Sequence, residues 1–369
     1  MKVGITGQPG FVGSHLFNYL GLVEDIRRME FRDEYFQDNS QLDAFTSGCD
    51  VIVHLAAMNR HPDPEMIYQT NIRLVQLLID SFHRNGATPH VIFSSSTQED
   101  LGNPYGRSKK EGRDLLADWA ASSGGKFTGL IIPNVFGPFC NPNYNSFVAT
   151  FAHKMTRNEQ PEIHVDAPID LIYVQDLVKQ ICHLITGKIF RDEYRLPHLA
   201  TSKPSEILEK FRNYQELYLR NGIVPELGTW YETCLFNTFR SYIPEEYFPR
   251  IFTLHTDDRG SFVETVKAMG PGQSSFSVTR PGVTRGNHFH LRKIERFAVI
   301  RGEAVIRLRR IGRQQILEYR LSGEKPGYVD IPVWYAHNIT NTGNTELLTL
   351  FWINEFFDPL DPDTFFEKV

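Results

Sequence analysis

Tyr105 and Lys109 stand four residues apart where a helical pattern, Ser108 to Ala121, begins. Positions i and i+4 share one helix face, so a phenol would lie beside an ammonium. The ammonium would lower the phenol's pKa, letting it give or take a proton near neutral pH. Ketone reduction needs such a group, because the new alkoxide must receive a proton as hydride arrives. Just before the pair, the apolar run Val91-Ile92-Phe93 ends in Ser94-Ser95-Ser96-Thr97, which places hydroxyls at the end of a strand. The plain alternative is a surface Tyr and Lys on a solvated face.

A second group of reactive residues lies far down the chain. His288-Phe289-His290 is followed by Glu295, and later by Pro332-x-Trp334-x-x-His337. On a strand, His288 and His290 point to one side. A carboxylate from the next strand and an imidazole from an opposite wall would complete a metal site of His288, His290, Glu295 and His337. Imidazole with carboxylate suits zinc, iron or manganese. The plain alternative is a barrel interior lined with satisfied polar residues.

The elements that must position the first group read as an α/β fold. Lys2 to Thr6 is a short strand, then Gly7-Gln8-Pro9-Gly10-Phe11-Val12-Gly13 leads into a helical pattern. Gly7 allows the tight turn, Gly10 lets backbone approach a pyrophosphate, and Gly13 lets helix pack on strand. The helix N-terminus offers unpaired N–H groups to the anion. The second strand is poorly marked and is expected to end near Glu30-Phe31-Arg32-Asp33. An acidic residue there would bind the ribose of NAD, whereas Arg32 would accept the extra phosphate of NADP; the arginines nearby lean the reading to NADP. Asp50 to Ala57 is a near-continuous apolar strand, as in a parallel sheet covered on both faces. Its Ala56 and Ala57 leave space for a cofactor, and His54 reads as a packed core histidine. Strands and helices alternate to Pro133-Asn134, the pattern of a doubly wound, Rossmann-type sheet.

Together these stretches resemble the extended short-chain dehydrogenase/reductase family, over about residues 1–245. The matching pieces are Thr6-Gly7-x-x-Gly10-Phe11-x-Gly13, His54-Leu55-Ala56-Ala57, Ser94-Ser95-Ser96, Tyr105-x-x-x-Lys109, Pro133-Asn134 and Asp170 to Val178. The resemblance implies that Ser96 hydrogen-bonds a substrate carbonyl, Tyr105 is the acid, and Lys109 holds the cofactor ribose. It also implies that Gly7, Gly10, Phe11, Val12, Gly13, Leu55, Ala56, Ala57 and Pro133 line the cofactor, with Asn134 and Asn145 on the substrate. His164 and Asp166 fall where relatives hold the nucleotide. The loop from Ser96 to Tyr105 is shorter than is usual in relatives.

Past residue 250 the texture changes to alternating strands punctuated by glycines, such as Gly302, Gly312, Gly323 and Gly343. This reads as a small antiparallel barrel or double-sheet roll. Its histidine spacings resemble the cupin superfamily, with Trp334 where glycine is usual. Asp257 to Phe262 and Arg285 to His288 resemble metal-free cupins that epimerise 4-keto-6-deoxy nucleotide sugars, in which the first histidine is a base. His288 is therefore open between ligand and base. The expected division is 1–246, an NADP-binding reductase domain, and 247–369, a cupin domain.

Both halves together resemble bifunctional enzymes that make capsule and O-antigen precursors. That resemblance implies a substrate, UDP-2-acetamido-2,6-dideoxy-4-hexulose, whose C3 is inverted and whose C4 ketone is reduced with NADPH, towards UDP-N-acetyl-L-fucosamine. It also implies a homodimer. Three rivals remain: a reductase whose cupin only supports or dimerises the chain, an NADP-sensing binding protein, and an iron oxygenase. A net charge of -5 gives no reason to expect nucleic acid or an anionic membrane as partner. Arg307, Arg309, Arg310 and Arg313 read as the wet face of a strand. Four scattered cysteines without a CxxC pair, and no long apolar run, fit a cytoplasmic protein.

Overall fold

The computed structural model describes residues 1–369 and resolves two compact units. The first comprises Met1–Phe136, Cys140–Phe147 and Ala167–Lys203. The second comprises Gly137–Phe139, Val148–Asp166 and Pro204–Val369.

In the first unit, β1 (Lys2–Thr6), α1 (Phe11–Leu20), β2 (Arg27–Met29), α2 (Asn39–Ser47), β3 (Val51–His54), α3 (Pro64–Asn85), β4 (His90–Ser96), α4 (Pro104–Ser123) and β5 (Lys126–Ile132) follow in order. The sheet runs β2-β1-β3-β4-β5 and then Arg191–Arg195, with every neighbour parallel. Alternate residues feed two cores: Val51, Val53 and Ile92 pack on one face, Ile52, Val91 and Phe93 on the other. Strand order reverses between β1 and β3, and the carboxyl ends at such a point open a ligand crevice.

Two local devices shape that crevice. Gly7 has φ 69°, and a Cβ there would stand 2.8 Å from the Ala56 nitrogen. A Cβ on Gly13 would stand 2.3 Å from the Gly7 carbonyl oxygen, so only glycine lets α1 approach the turn. At α4, Asn103 Oδ1 accepts the Gly106 N–H at 2.7 Å and Pro104 occupies the first turn. This N-cap starts the helix just early enough to put Tyr105 and Lys109 on it. The short link from Ser96 is taken up by a 3-10 turn, Thr97–Leu101, capped by Ser96 itself.

The second unit holds the helices Pro204–Tyr214 and Trp230–Arg240, with a π-helical turn at Gln215–Arg220, and two five-stranded antiparallel sheets. One sheet runs Arg250–Ile251, Gly327–Ile331, Glu295–Arg301, Leu347–Ile353, Gln273–Thr279; the other runs Ile316–Ser322, Glu303–Arg310, Tyr335–Asn341, Thr284–Phe289, Phe365–Phe366. Phe297, Val329 and Leu347 of the first meet Ile306, Leu321 and Ile339 of the second in one core. The expected double-sheet roll is the fold found. Helices 204–240, ahead of the boundary expected near Tyr247, pack in this unit. Arg296, 2% exposed, is paired with Asp330 at 2.7 and 2.9 Å, and Tyr218 donates to the same carboxylate at 2.6 Å.

Some sequence expectations change. The second strand ends at Met29, before Glu30 to Asp33. The segment 189–205 contains the strands Arg191–Arg195 and Ala200–Ser202, which the sequence pattern did not mark. Just ahead of the expected boundary, residues 237–240 are the last turn of the helix Trp230–Arg240. Trp334 takes φ 64°, the left-handed conformation a glycine would adopt freely, and is held there by stacking on Phe289 at 5.6 Å. All four cysteines are buried thiols.

Candidate active site and metal centre

A cavity of about 1300 Å³ opens at the carboxyl ends of β1, β3, β4 and β5. It exceeds the ~300–1,000 Å³ of an ordinary ligand pocket, so two ligands can share it. Gly7, Gly10, Phe11, Val12 and Gly13 line one part, and Leu55, Ala56 and Ala57 follow from β3. Ser96, Tyr105, Lys109, Pro133, Asn134 and Asn145 line the same space. Arg32 does not. Its guanidinium is on the surface, paired with Glu30 at 2.7 Å, while Asp33 lines the cavity. β2 ends at Met29, the chain stays extended through Arg32, and the 3-10 turn that opens at Asp33 presents Asp33 to the cavity instead. His164 is exposed and Asp166 accepts the Ser205 N–H and O–H; neither lines the cavity.

Thr70, Arg73, Leu74 and Leu77 also line it, and sequence reading passed over them. Their i, i+3, i+4, i+7 spacing on α3 is the face of one helix, and this was the available signal.

The three serines have different duties. Ser94 Oγ donates to the His54 carbonyl at 3.1 Å, and Ser95 Oγ donates to Glu99, whose carboxylate Arg113 grips at 3.0 Å from two nitrogens. Ser96 Oγ instead accepts the Gln98 N–H at 3.2 Å, which leaves its own O–H to donate. His54 is a core histidine, bonded to Thr6 Oγ1 at 2.6 Å, and burial drives its pKa down to about 3.

Lys109 is buried, with Nζ 5.6 Å from the Tyr105 ring centroid and 5.1 Å from that of Phe93. Burial lowers its pKa to about 8, against the pull of Glu99. Tyr105 was expected to be lowered by this ammonium. Burial, with Tyr144 adding to it, instead pushes the phenol up to about 12. Near neutral pH the phenol holds its proton, the form a proton donor needs.

In the second unit, His288, His290, Glu295 and His337 converge, their ligand atoms all within 4.8 Å of one another. His290 Nε2 and His337 Nε2 stand 3.0 and 3.1 Å from Glu295 Oε2. These three buried atoms have no hydrogen-bond partner of acceptable geometry. The other nitrogen of each ring faces a carbonyl: His290 Nδ1 that of Asp363 at 2.5 Å, His337 Nδ1 that of Tyr335 at 3.1 Å. A carbonyl only accepts, so the neutral rings carry their proton on Nδ1 and turn lone pairs towards the carboxylate. Lone pairs crowding a carboxylate need positive charge among them, from a bound cation or from a proton on His290, which burial would lower but Glu295 raises above the ordinary imidazole value. Such a donor set fits a divalent cation. Burial and the other two imidazoles lower His288 to about 4; burial would raise Glu295, but the facing imidazoles hold it well below the usual carboxylate range. Lys293 points away, its Nζ on the Pro362 carbonyl at 2.7 Å.

Comparison with known proteins gives these sites a context. Residues 3–192 match the NAD dependent epimerase/dehydratase family, and residues 255–365 match the polysaccharide biosynthesis C-terminal domain. The chain is 34% identical to UDP-2-acetamido-2,6-beta-L-arabino-hexul-4-ose reductase of Pseudomonas aeruginosa, over 99% of this chain and 98% of that one. The crystal structure of the capsular polysaccharide assembling protein CapF from Staphylococcus aureus aligns over 100% of both chains, with 36% identity and a TM-score of 0.65. The spore coat polysaccharide biosynthesis protein SpsL of Bacillus subtilis is 27% identical over 30% of this chain and 79% of its own. No helix here is long and apolar enough to cross a membrane. With more than half its length matched by one family and its whole length by the Pseudomonas reductase, this chain belongs to the NAD dependent epimerase/dehydratase family, in its CapF-type form.

Proposed function

We propose that the protein is a bifunctional enzyme of nucleotide-sugar synthesis. The second unit, through its barrel, epimerises C3 of UDP-2-acetamido-2,6-dideoxy-4-hexulose, and the first unit then reduces the C4 ketone, giving UDP-N-acetyl-L-fucosamine for capsule or O-antigen. The observation that carries the reading is that Ser96, Tyr105 and Lys109 share one cavity with the glycine turn. The names of the Pseudomonas and Staphylococcus relatives support the substrate class. The working form is a cytoplasmic homodimer.

In the reductase site NADPH, when bound, supplies the hydride; with Arg32 turned outward and Asp33 on the cavity wall, Arg73 is the cavity-lining cation on α3 that would meet its extra phosphate. Gly7, Gly10 and Gly13 receive its pyrophosphate, with Leu55, Ala56, Ala57 and Pro133 around it. Asn134 and Asn145 orient the sugar nucleotide. The O–H of Ser96 holds the ketone oxygen, Tyr105 gives its proton to the oxygen as it becomes an alkoxide, and Lys109 stabilises the phenolate left behind.

In the barrel, His288, His290, Glu295 and His337 would hold a divalent cation, with zinc the best match to the imidazole-rich set. Bound there, it would supply Lewis acidity towards an oxygen of the substrate. His288 is the most exposed of the four, so it is the residue that can exchange ligation for a role as base. Order follows from carbon acidity. The C3 proton is acidic only while C4 is a ketone, because the anion delocalises onto that oxygen. Hydride addition ends this, so inversion precedes reduction.

The test is product analysis by NMR from the UDP-4-keto sugar with NADPH. Wild type should give the C3-inverted, reduced sugar. His290→Ala should still oxidise NADPH but leave C3 uninverted. Inverted product from His290→Ala would instead make the barrel a supporting or dimerising domain only.

A further inference from the structure

The histidine cluster is backed by the last residues of the chain. Asp363 is 5% exposed and sits at φ 42°, a conformation uncommon for residues with a side chain and best tolerated among them by aspartate and asparagine. From there its carboxylate meets three consecutive amides. Oδ1 accepts the Leu291 N–H at 3.1 Å, and Oδ2 accepts those of Arg292 and Lys293 at 3.0 and 3.1 Å. Its main-chain carbonyl accepts a hydrogen bond from His290 Nδ1–H at 2.5 Å. One residue thus holds the loop after His290 by its side chain and the His290 ring by its backbone.

Neighbouring contacts aim the same way. Lys293 Nζ donates to Pro362 O, and Arg292 donates to both the side chain and the carbonyl of Asp361. Phe365–Phe366 pairs antiparallel with His288 and Phe289, and Phe365 stacks on Phe289 at 5.4 Å. The carboxylate thereby fixes where the Asp363 carbonyl stands, and the carbonyl decides which nitrogen of His290 is protonated. Without that carbonyl, the ring could turn over or move its proton to Nε2, the atom now facing Glu295.

We propose that Asp363 is a positioning residue for the barrel site, and that the C-terminal segment 361–366 is the strap that locks the tautomer and direction of His290. This deepens the metal-site reading given above and rests on it for the affinity measurement, though not for the tautomer measurement. A plain structural clasp would need the carboxylate-to-amide bonds alone. A positioning role requires that the ring nitrogen respond when those bonds are cut.

The test uses full-length protein stripped with chelator, as wild type, Asp363→Ala and Asp363→Asn. Asparagine tolerates left-handed backbone and keeps one acceptor oxygen, so this variant should fold even if the alanine variant does not. Zinc affinity is read by competition with a chromophoric chelator, and imidazole tautomers by long-range proton–nitrogen correlation without metal. Far-UV circular dichroism and NADPH binding report folding. Wild type should show His290 protonated at Nδ1 alone. The variants should show a mixed tautomer and zinc binding weakened ~10–100-fold, as outer partners of metal-bound histidines typically give. A folded variant with wild-type zinc affinity and an unchanged Nδ1–H signal would overturn the proposal. Wild type that binds no zinc, yet shows the tautomer change on substitution, would overturn the metal reading and leave the positioning role standing.

Discussion

Tyr105, Lys109 and Ser96 form the chemical unit of the first cavity, and each makes a separate prediction. Tyr105→Phe removes the proton donor and little else, so turnover should fall ~10²–10⁴-fold with NADPH binding retained; stopped-flow reduction and cofactor titration check this. Lys109 adds a pH dependence whose sign is set by its lowered pKa. Its ammonium is complete well below pH 8 and is lost as pH rises through about 8. The rate of ketone reduction should therefore fall on the basic side near that value, and Lys109→Met should erase this limb from the pH profile. The same burial is a cost to stability below pH 8 that is relieved between about 8 and the ordinary 10.5, where the unfolded lysine still holds its proton. Cofactor choice gives a further test. Since Asp33 lines the cavity and Arg32 faces outward, Arg32→Ala should leave the NADPH KM nearly unchanged. Arg73, the lining cation on α3, is the side chain whose removal should raise it. Spacing alone made the Tyr–Lys pair visible in the sequence. It could not show that burial overrides the ammonium's pull on the phenol, because pKa balance depends on solvent exclusion by residues remote in sequence.

At the scale of elements, glycine and cap chemistry made the site legible. The turn Gly7 to Gly13 and the cap at Asn103-Pro104 are local, so the sequence shows them directly. Gly13→Ala should abolish NADPH binding, because its methyl would meet the Gly7 carbonyl and push α1 off the turn; isothermal titration would show the loss. Elements fixed by distant partners were harder to read. The short β2 has few apolar residues and exists because it pairs with β1. Helix Trp230–Arg240 buries Phe236, Phe239 and Arg240, a mixture that blurs its period. Trp334 holds a glycine-like conformation with its ring stacked on Phe289 and its N–H bonded to the His290 carbonyl, partners remote in sequence that nothing local announces. In the second unit, Arg296 and Asp330 are nearly fully buried, and Tyr218 shares the carboxylate. Asp330→Ala would leave a buried guanidinium unpaired and should destabilise this unit by about 3–5 kcal/mol, read by denaturant unfolding.

For the whole molecule, the change from βα alternation to alternating strands announced two architectures, and both are present. The compact units interleave along the chain, with residues 137–139 and 148–166 belonging to the second. Sequence texture is read locally and cannot register such returns. One sugar carbonyl is proposed to serve both halves: it makes C3 acidic in the barrel and is then consumed at Tyr105. Incubation of the UDP-4-keto sugar with enzyme and NADPH in deuterated water tests this most directly. Deuterium at C3 of the reduced product, present in wild type and absent with His290→Ala, is the predicted result. Reduced product from wild type carrying no deuterium at C3 would contradict it.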